Sequence, residues 1–248
     1  MGKLDGRCAL VTGGSRGIGR GVALAFADAG ADVAIGYRRE TAAAESTVKA
    51  IEAKGRHGFA FAADVRDANA VAAMVQSAHD ALGGLDTVVA NAGVPTRYEP
   101  LDVIEVSYWQ RVLDIDLNGV FYTLRAAIPV LREGDGGVIL SVSSIAADAC
   151  AANSGPYVAA KAAVNAITIM AARENARHNI RCNVIAPGLI ATEMGDGLVS
   201  AHGEAIVKSI PMRRMGSVDE VGQLAVYLAS DDAAWVTGKV FRIDGGAW

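Results

Sequence analysis

Short apolar runs alternate with longer helical patterns along this 248-residue chain, and that alternation constrains the fold most. Each run is short and most are rich in Val or Ile, which is typical of strands covered on both faces. The runs are Cys8–Val11, Asp32–Ile35, Gly58–Ala62, Thr87–Ala90, Val138–Val142, Ile180–Ile185 and Val240–Ile243. Helical spacing lies between them, as at Ile18–Ala27, Ala42–Ala53 and Val71–Leu82. Seven such strands alternating with helices predict an α/β fold on a parallel sheet.

The composition predicts a single domain over residues 1–248, because 52% of the residues are hydrophobic and no Pro-, Gly- or Ser-rich linker interrupts them. A formal net charge of −4 argues against a nucleic-acid partner. The longest charge-free stretches, Gly136–Ala147 and Ala149–Ala160, have 12 residues each. A transmembrane helix needs ~20, so we expect no membrane partner.

The N-terminus lacks a signal-peptide pattern, and we expect a cytoplasmic protein. Cys8, Cys150 and Cys182 are widely spaced and form no CxxC motif. We interpret them as buried small apolar residues in a reducing compartment, and we predict no metal site.

The stretch Gly188–Met215 departs from the alternation, because glycines recur in it among mixed polar and apolar residues. A long irregular insertion after a sheet strand predicts an active-site lid at about 188–215. A variable surface loop is the alternative interpretation.

The first motif with chemical content is VTGGSRGIG at residues 11–19, between the first strand and the first helix. Glycines there let the backbone turn tightly and approach a pyrophosphate held by N–H groups at the helix N-terminus. The glycine spacing (13, 17, 19) differs from the general G-x-G-x-x-G fingerprint. A tight turn without a ligand is the alternative.

The second predicted strand is followed by Tyr37-Arg38-Arg39, where an NAD site would place an acidic residue. Arg38 can pair with a 2′-phosphate through its planar guanidinium, and Arg16 can approach from the glycine turn. This pattern favours NADP over NAD. The alternative is that the arginines only begin a solvated helix, although cations there oppose the helix dipole.

Polar residues follow two further strands, Asp64-Val65 after the third and Asn91-Ala92-Gly93 after the fourth. Ligands of open α/β sheets bind at the carboxyl ends of strands, so both segments point to one site. Asp64 could instead cap a helix, although Asp67 is the better cap for the segment that starts at Asn69.

The strongest signal combines Ser143-Ser144 with Tyr157-Val158-Ala159-Ala160-Lys161. Tyr and Lys four residues apart share one helix face, and Gly155-Pro156 fits a helix start. A phenol is a poor acid near neutral pH unless a neighbouring ammonium stabilises its phenolate. The Ser144 hydroxyl could hold a carbonyl oxygen. A lone Tyr-x-x-x-Lys pair, however, is more often plain helix surface.

Together these motifs resemble the short-chain dehydrogenase/reductase family from Gly6 to Gly246, including the thirteen-residue spacing of Ser144 and Tyr157. The resemblance implies a Rossmann-like, doubly wound, seven-stranded parallel sheet with helices on both faces and NADP(H) at its carboxyl edge. The family's cofactor positions correspond to Gly13, Ser15, Arg16, Gly17, Ile18, Gly19, Tyr37, Arg38, Asp64, Val65, Asn91, Ala92, Gly93, Tyr157, Lys161, Pro187, Gly188, Ile190 and Thr192.

The resemblance also implies catalytic roles for Asn118, Ser144, Tyr157 and Lys161. Tyr157 would donate a proton to the developing alkoxide as general acid, and Ser144 would bind the substrate oxygen. Lys161 would hold the nicotinamide ribose and stabilise the Tyr157 phenolate. Asn118 would position a water that joins Lys161 to solvent.

The resemblance further implies a homotetramer built from the long helices around Asn118 and after Tyr157. The N-terminal half is similar to 3-oxoacyl-carrier-protein reductases, which place basic residues where this chain has Asp135 and His178. An acidic carrier would be disfavoured there, so we expect a free small-molecule ketone as substrate. A carrier-bound 3-oxoacyl group is the alternative, and a non-catalytic NADP sensor is a remote one.

Overall fold

The seven apolar runs form one parallel sheet in the computed structural model, which describes residues 2–248 apart from the side chains of residues 201 and 202. The strand order is 3-2-1-4-5-6-7, and every neighbouring pair is parallel. The strands are β1 Cys8–Thr12, β2 Asp32–Tyr37, β3 Gly58–Ala62, β4 Thr87–Ala90, β5 Gly137–Val142, β6 Ile180–Pro187 and β7 Val240–Ile243. The prediction of an α/β fold on a seven-stranded parallel sheet is confirmed.

Helices connect the strands and cover both faces of the sheet. In the described part of the chain they are α1 Gly17–Asp28, α2 Thr41–Glu52, α3 Ala68–Leu82, α4 Val106–Leu113, α5 Gly119–Glu133, α6 Ala146–Ala149, α7 Gly155–Asn175, α8 Glu193–His202, α9 Ala205–Ser209 and α10 Val218–Ala229. A π-helical turn, Asp114–Asn118, joins α4 to α5. Asp67 caps α3 by accepting hydrogen bonds from two backbone N–H groups, as predicted.

The core has two layers because successive side chains of a strand point to opposite faces. On one face Val11 packs with Phe26 of α1 and Leu228 of α10. On the other face Leu10 packs with Met74 of α3 and with buried hydrophobic side chains of α5 and α7. The sheet is therefore doubly wound, as predicted.

The segment 188–215 is not irregular, because α8 and α9 lie within it. Gly195 and Gly197 make it a poor helix by propensity, since interior glycine costs about 1 kcal/mol relative to alanine. Gly195 is required by packing, since a Cβ there would lie 2.1 Å from the Ile190 carbonyl oxygen. Thr192 caps α8 by accepting a hydrogen bond from the Gly195 N–H.

The cysteines differ from the prediction that all three are buried. Cys182 is buried in β6, Cys8 is half-buried, and Cys150 is exposed at the end of α6. Burial raises the pKa of Cys182 to about 12, so its thiol is unreactive. Among the described residues, no helix has both the length and the hydropathy to cross a membrane.

Candidate active site

The predicted site residues converge at the carboxyl edge of the sheet, where β1 and β4 are neighbours. The chain runs outward from β1 through β2 to β3 and then returns to place β4 beside β1. In open α/β sheets this reversal of strand order opens the crevice that binds ligands. The sheet therefore brings the ends of β1, β4 and β5 together around one crevice.

The glycine turn that joins β1 to α1 leaves no room for side chains at Gly13 and Gly19. Gly13 and Gly17 have φ values of 66° and 54°, which favour glycine. A Cβ at Gly19 would lie 2.3 Å from the Gly13 carbonyl oxygen. The N-cap residue of α1, Arg16, makes no side-chain hydrogen bond to the helix. The first N–H groups of α1 are thus available to an anionic group.

Thr12 and Asn91 hold this turn against the end of β4. The Thr12 hydroxyl accepts hydrogen bonds from the backbone N–H groups of Asn91 and Ala92 at 2.9 and 3.1 Å. The Asn91 amide donates to the carbonyl oxygens of Thr12 and Gly13. Sequence reasoning placed Asn91 and Ala92 correctly at a strand end and included Thr12 in the glycine motif, but gave no role to Thr12, which is the buried acceptor between the two segments.

Charged side chains surround the space beyond β2. Arg38 is exposed, and Asp64 is held by Arg66 through Nε and Nη2 contacts of 3.0 and 2.6 Å. The hydrogen bond from Arg66 lowers the pKa of Asp64 to about 2 against the effect of burial, and the charge of Arg38 adds to this. Tyr37 and Ala62 are paired at the ends of β2 and β3, so Arg38 and Asp64 follow the ends of neighbouring strands.

Arg16 has a partner that the sequence analysis did not identify. Its guanidinium lies 2.7 Å from the Glu193 carboxylate at the start of α8. Thr192 also faces Gly17, since a Cβ at Gly17 would lie 3.7 Å from the Thr192 methyl group. The start of the predicted lid therefore contacts the glycine turn.

The remaining predicted positions lie at the same edge or border it. Pro187 ends β6, and Gly188 is closed in by Asp244, so a Cβ there would lie 2.8 Å from the Asp244 Cβ. Ile190 is buried and forms an isolated parallel bridge with Gly216. The other positions are Ser15, Ile18 and Tyr37 around the glycine turn and Val65 against Gly119.

Tyr157 and Lys161 share one face of α7, which begins at Gly155-Pro156 as predicted. The Lys161 Nζ lies 5.5 Å from the centroid of the half-buried Tyr157 ring. Lys161 itself is only 4% exposed. Ser144 lies just beyond β5, and its Oγ accepts a hydrogen bond from the Ala146 N–H at 3.1 Å. The Ser144 hydroxyl proton is thereby left for another acceptor.

Two further side chains at this site escaped the sequence analysis. Asp116 is fully buried and lies 3.2 Å from the Lys161 Nζ. Tyr98 is a neighbour of Tyr157. Burial raises the pKa of Tyr98, and the electrostatic effect of Tyr157 adds to this. The Asn118 side chain donates to the Asp114 carboxylate at 3.0 Å, and its role in positioning a water stays a prediction. The side chain from this turn that contacts Lys161 is Asp116.

Asp135 and His178, on which the expectation of a free substrate rested, lie at the opposite edge of the sheet. Asp135 precedes β5 and His178 precedes β6, so both are at the amino ends of strands. The Asn179 side chain bonds the Asp135 carbonyl oxygen there. Within one chain these residues lie away from the crevice, and the expectation of a free substrate stays a prediction.

Comparisons with known proteins agree with this geometry. Residues 13–247 match a family model described as "Enoyl-(Acyl carrier protein) reductase". A curated relative, 3-oxoacyl-[acyl-carrier-protein] reductase of Staphylococcus aureus, is 38% identical over 98% of each chain.

Two solved structures are similar over nearly the whole chain. A short chain dehydrogenase from Burkholderia cenocepacia in complex with NADP is 36% identical, with a TM-score of 0.93 and 99% of each chain covered. A 7 alpha-hydroxysteroid dehydrogenase complexed with NADH and 7-oxo glycochenodeoxycholic acid is 32% identical, with a TM-score of 0.93 and coverage of 98% and 94%. The chain belongs to the short-chain dehydrogenase/reductase family and is an oxidoreductase.

Proposed function

We propose that this chain is an NADP(H)-dependent reductase that converts a ketone to a secondary alcohol, with Tyr157 as general acid. One observation carries the proposal: the Lys161 ammonium lies 5.5 Å from the centroid of the half-buried Tyr157 ring and bonds the carbonyl of Val142 at the end of β5, two residues before Ser144. A phenol beside a cation can give up a proton as negative charge develops on a bound oxygen.

The residues fit an NADP(H) cofactor. A Cβ at Gly13 or Gly19 would collide with backbone, so the turn must be tight, and the first N–H groups of α1 beside it have no side-chain cap and are available to a pyrophosphate. Arg38 is exposed and could pair with a 2′-phosphate. The two structural relatives differ in cofactor, one holding NADP and the other NADH. The preference for NADP therefore rests on Arg38 and the absence of an acidic residue at Tyr37-Arg38.

The chemistry that NADPH supplies when bound is a hydride for the carbonyl carbon. Ser144 donates a hydrogen bond to the carbonyl oxygen and fixes its position. Tyr157 Oη transfers its proton to the same oxygen, so one hydride and one proton convert C=O to CH–OH. Lys161 stabilises the phenolate that remains. Its ammonium has three N–H donors, of which Asp116 and the Val142 carbonyl engage two, and the third is available to a ribose hydroxyl.

Two substrate classes are compatible with this reaction. A carrier-bound 3-oxoacyl group is supported by the 38% identical relative of that name. A free ketone is supported by the steroid dehydrogenase relative with its bound 7-oxo compound. Tyr98, which lies beside Tyr157 and is 44% exposed, supplies an aromatic surface for either.

NADPH oxidation with matched substrates separates these classes. The same 3-oxoacyl chain is offered on carrier protein and as a short free thioester, beside cyclic ketones, diketones and an oxo-steroid. A kcat/KM at least ~10-fold higher for the carrier-bound form supports a carrier-protein reductase, and a preference for a free ketone supports a small-molecule reductase. Absence of NADPH oxidation with every ketone, together with absence of NADP⁺ reduction by the matching alcohols, would contradict the proposed function.

A further inference from the structure

Two of the three N–H donors of the Lys161 ammonium have protein partners. Its Nζ lies 3.2 Å from the Val142 carbonyl oxygen and 3.2 Å from the Asp116 Oδ1. An ammonium has three donors and no acceptor, so one N–H is left for the crevice. Val142 ends β5, whereas Asp116 lies in the π-helical turn, so two elements hold the same cation.

The Asp116 carboxylate is fully buried among residues of the site. Its oxygens accept a hydrogen bond from the Val94 N–H at 3.1 and 3.3 Å. A Cβ at Gly93 would lie 2.7 Å from Asp116 Oδ1 and 3.5 Å from Lys161 Nζ. Glycine at position 93 is thus explained by the space that the buried carboxylate needs.

We propose that Asp116 is a positioning residue that orients Lys161 and keeps its ammonium charged inside the water-poor site. Nothing in the Tyr157–Lys161 spacing requires such a carboxylate. A buried lysine without a counter-ion would lose its proton, and a neutral amine would not stabilise a phenolate beside it. Asp116 therefore maintains the charge on which the proposed acid step of Tyr157 depends.

Burial raises the pKa of Asp116, against the charge of Lys161 and the Val94 hydrogen bond, which lower it. The contacts nevertheless indicate a carboxylate, because the hydrogen-bonding partners Lys161 and Val94 are N–H donors, which suits an ionised group that only accepts. Burial favours the neutral amine of Lys161, but Asp116 and Tyr157 outweigh it, and the pKa of Lys161 is raised. In the described residues these are the titratable groups that act on Lys161, one from the π-helical turn and one from α7.

The direct test is the titration of Lys161 itself. The chain has six lysines, so protein labelled with 13C at the lysine ε-carbon gives six signals, and Lys161→Arg identifies one of them. In the wild type we expect the Lys161 signal to remain at its protonated position at pH 10. Titration of Lys161 below the surface lysines Lys54 and Lys208 would overturn the proposal without any need for a variant.

Asp116→Asn then removes the charge and keeps the size of the side chain. We expect the midpoint of the Lys161 titration to fall by at least ~1 pH unit, because a unit charge about 3 Å away is lost from a poorly solvated site. The matched control is Asp28→Asn, which removes a carboxylate from Lys54 at the surface. An unchanged Lys161 midpoint in Asp116→Asn would overturn the proposal.

A kinetic measurement separates this inference from the proposed function on which its catalytic meaning rests. In Asp116→Asn the alkaline limb of the kcat/KM profile for ketone reduction should move to lower pH by the same amount as the Lys161 midpoint. If the Lys161 midpoint shifts and the kinetic profile does not, Asp116 still sets the charge of Lys161. That result would contradict the proposed role of Lys161 in the reaction.

Discussion

At the scale of single residues, the site is defined by positions where one more atom would not fit. A Cβ at Gly19 would collide with the Gly13 carbonyl, and a Cβ at Gly93 would collide with the Asp116 carboxylate. The first glycine lets the turn close tightly beside the start of α1, whereas the second makes room for a buried charge. The two therefore serve different parts of the site, although both lie at the carboxyl edge.

Arg38 is the residue that decides cofactor preference in this account. Arg38→Ala should weaken NADPH binding at least ~10-fold and leave NADH binding within about twofold, because only NADPH carries the phosphate that a guanidinium would pair with. Titration of nucleotide fluorescence gives both dissociation constants. Arg39→Ala is the matched control. Equal losses for the two nucleotides in Arg38→Ala would show that Arg38 does not bind the 2′-phosphate.

Sequence reasoning reached the residues whose spacing along the chain is itself informative. Tyr157 and Lys161 are one helical turn apart, and their shared face follows from helix geometry. Asp116 was missed because only tertiary packing buries it and directs it to a lysine 45 positions later in the chain. Asn118, two positions further on, was selected from the family resemblance; its side chain bonds Asp114, and its role through a water stays a prediction.

At the scale of elements, the predicted strands match the sheet closely because buried strands consist of uninterrupted apolar runs. The segment after β6 was misjudged for the opposite reason. Its glycines predict a loop, yet Gly195 lies within α8, where the residue must be glycine because the Ile190 carbonyl leaves no space for a Cβ. Helix propensity is a poor guide to such a segment, because tertiary contacts determine which residue fits at Gly195.

The α8–α9 segment is proposed to act as a lid over the crevice. Its base is held by the Ile190–Gly216 bridge, and its start meets the glycine turn through Arg16 and Glu193. NADPH should slow tryptic cleavage at Lys208, which is exposed, because a ligand under the lid favours the closed arrangement. The rate is followed by mass spectrometry of the fragments.

The control for the lid experiment is Arg38→Ala at an NADPH concentration that saturates only the wild type. Protection should be lost in this variant, since the nucleotide does not bind. Cleavage at Lys208 that is equally fast with and without saturating NADPH in the wild type would contradict the role of α8 and α9 as a lid.

At the scale of the whole molecule, two exposed apolar side chains suggest assembly. Phe121 on α5 is 49% exposed and Met170 on α7 is 52% exposed, and these two helices pack together. Such side chains are typical of surfaces that another subunit covers. We propose that the chain forms a homotetramer through these helices.

Light scattering after gel filtration tests the tetramer. The wild type should elute at about four times the 25.6 kDa chain mass, and Met170→Glu should shift it toward smaller species because a carboxylate would be buried at the interface. Tyr227→Glu, on α10, is the control and should leave the mass unchanged. A wild-type monomer would contradict the proposed assembly.

The most direct test of the central claim compares Tyr157→Phe with the wild type, using whichever ketone the wild type reduces fastest. Removing the phenolic proton donor should lower kcat at least ~100-fold and leave the NADPH dissociation constant within about twofold. Tyr227→Phe, on the far side of the sheet, should keep full activity. A Tyr157→Phe variant that still oxidises NADPH at the wild-type rate would contradict the assignment of Tyr157 as the acid.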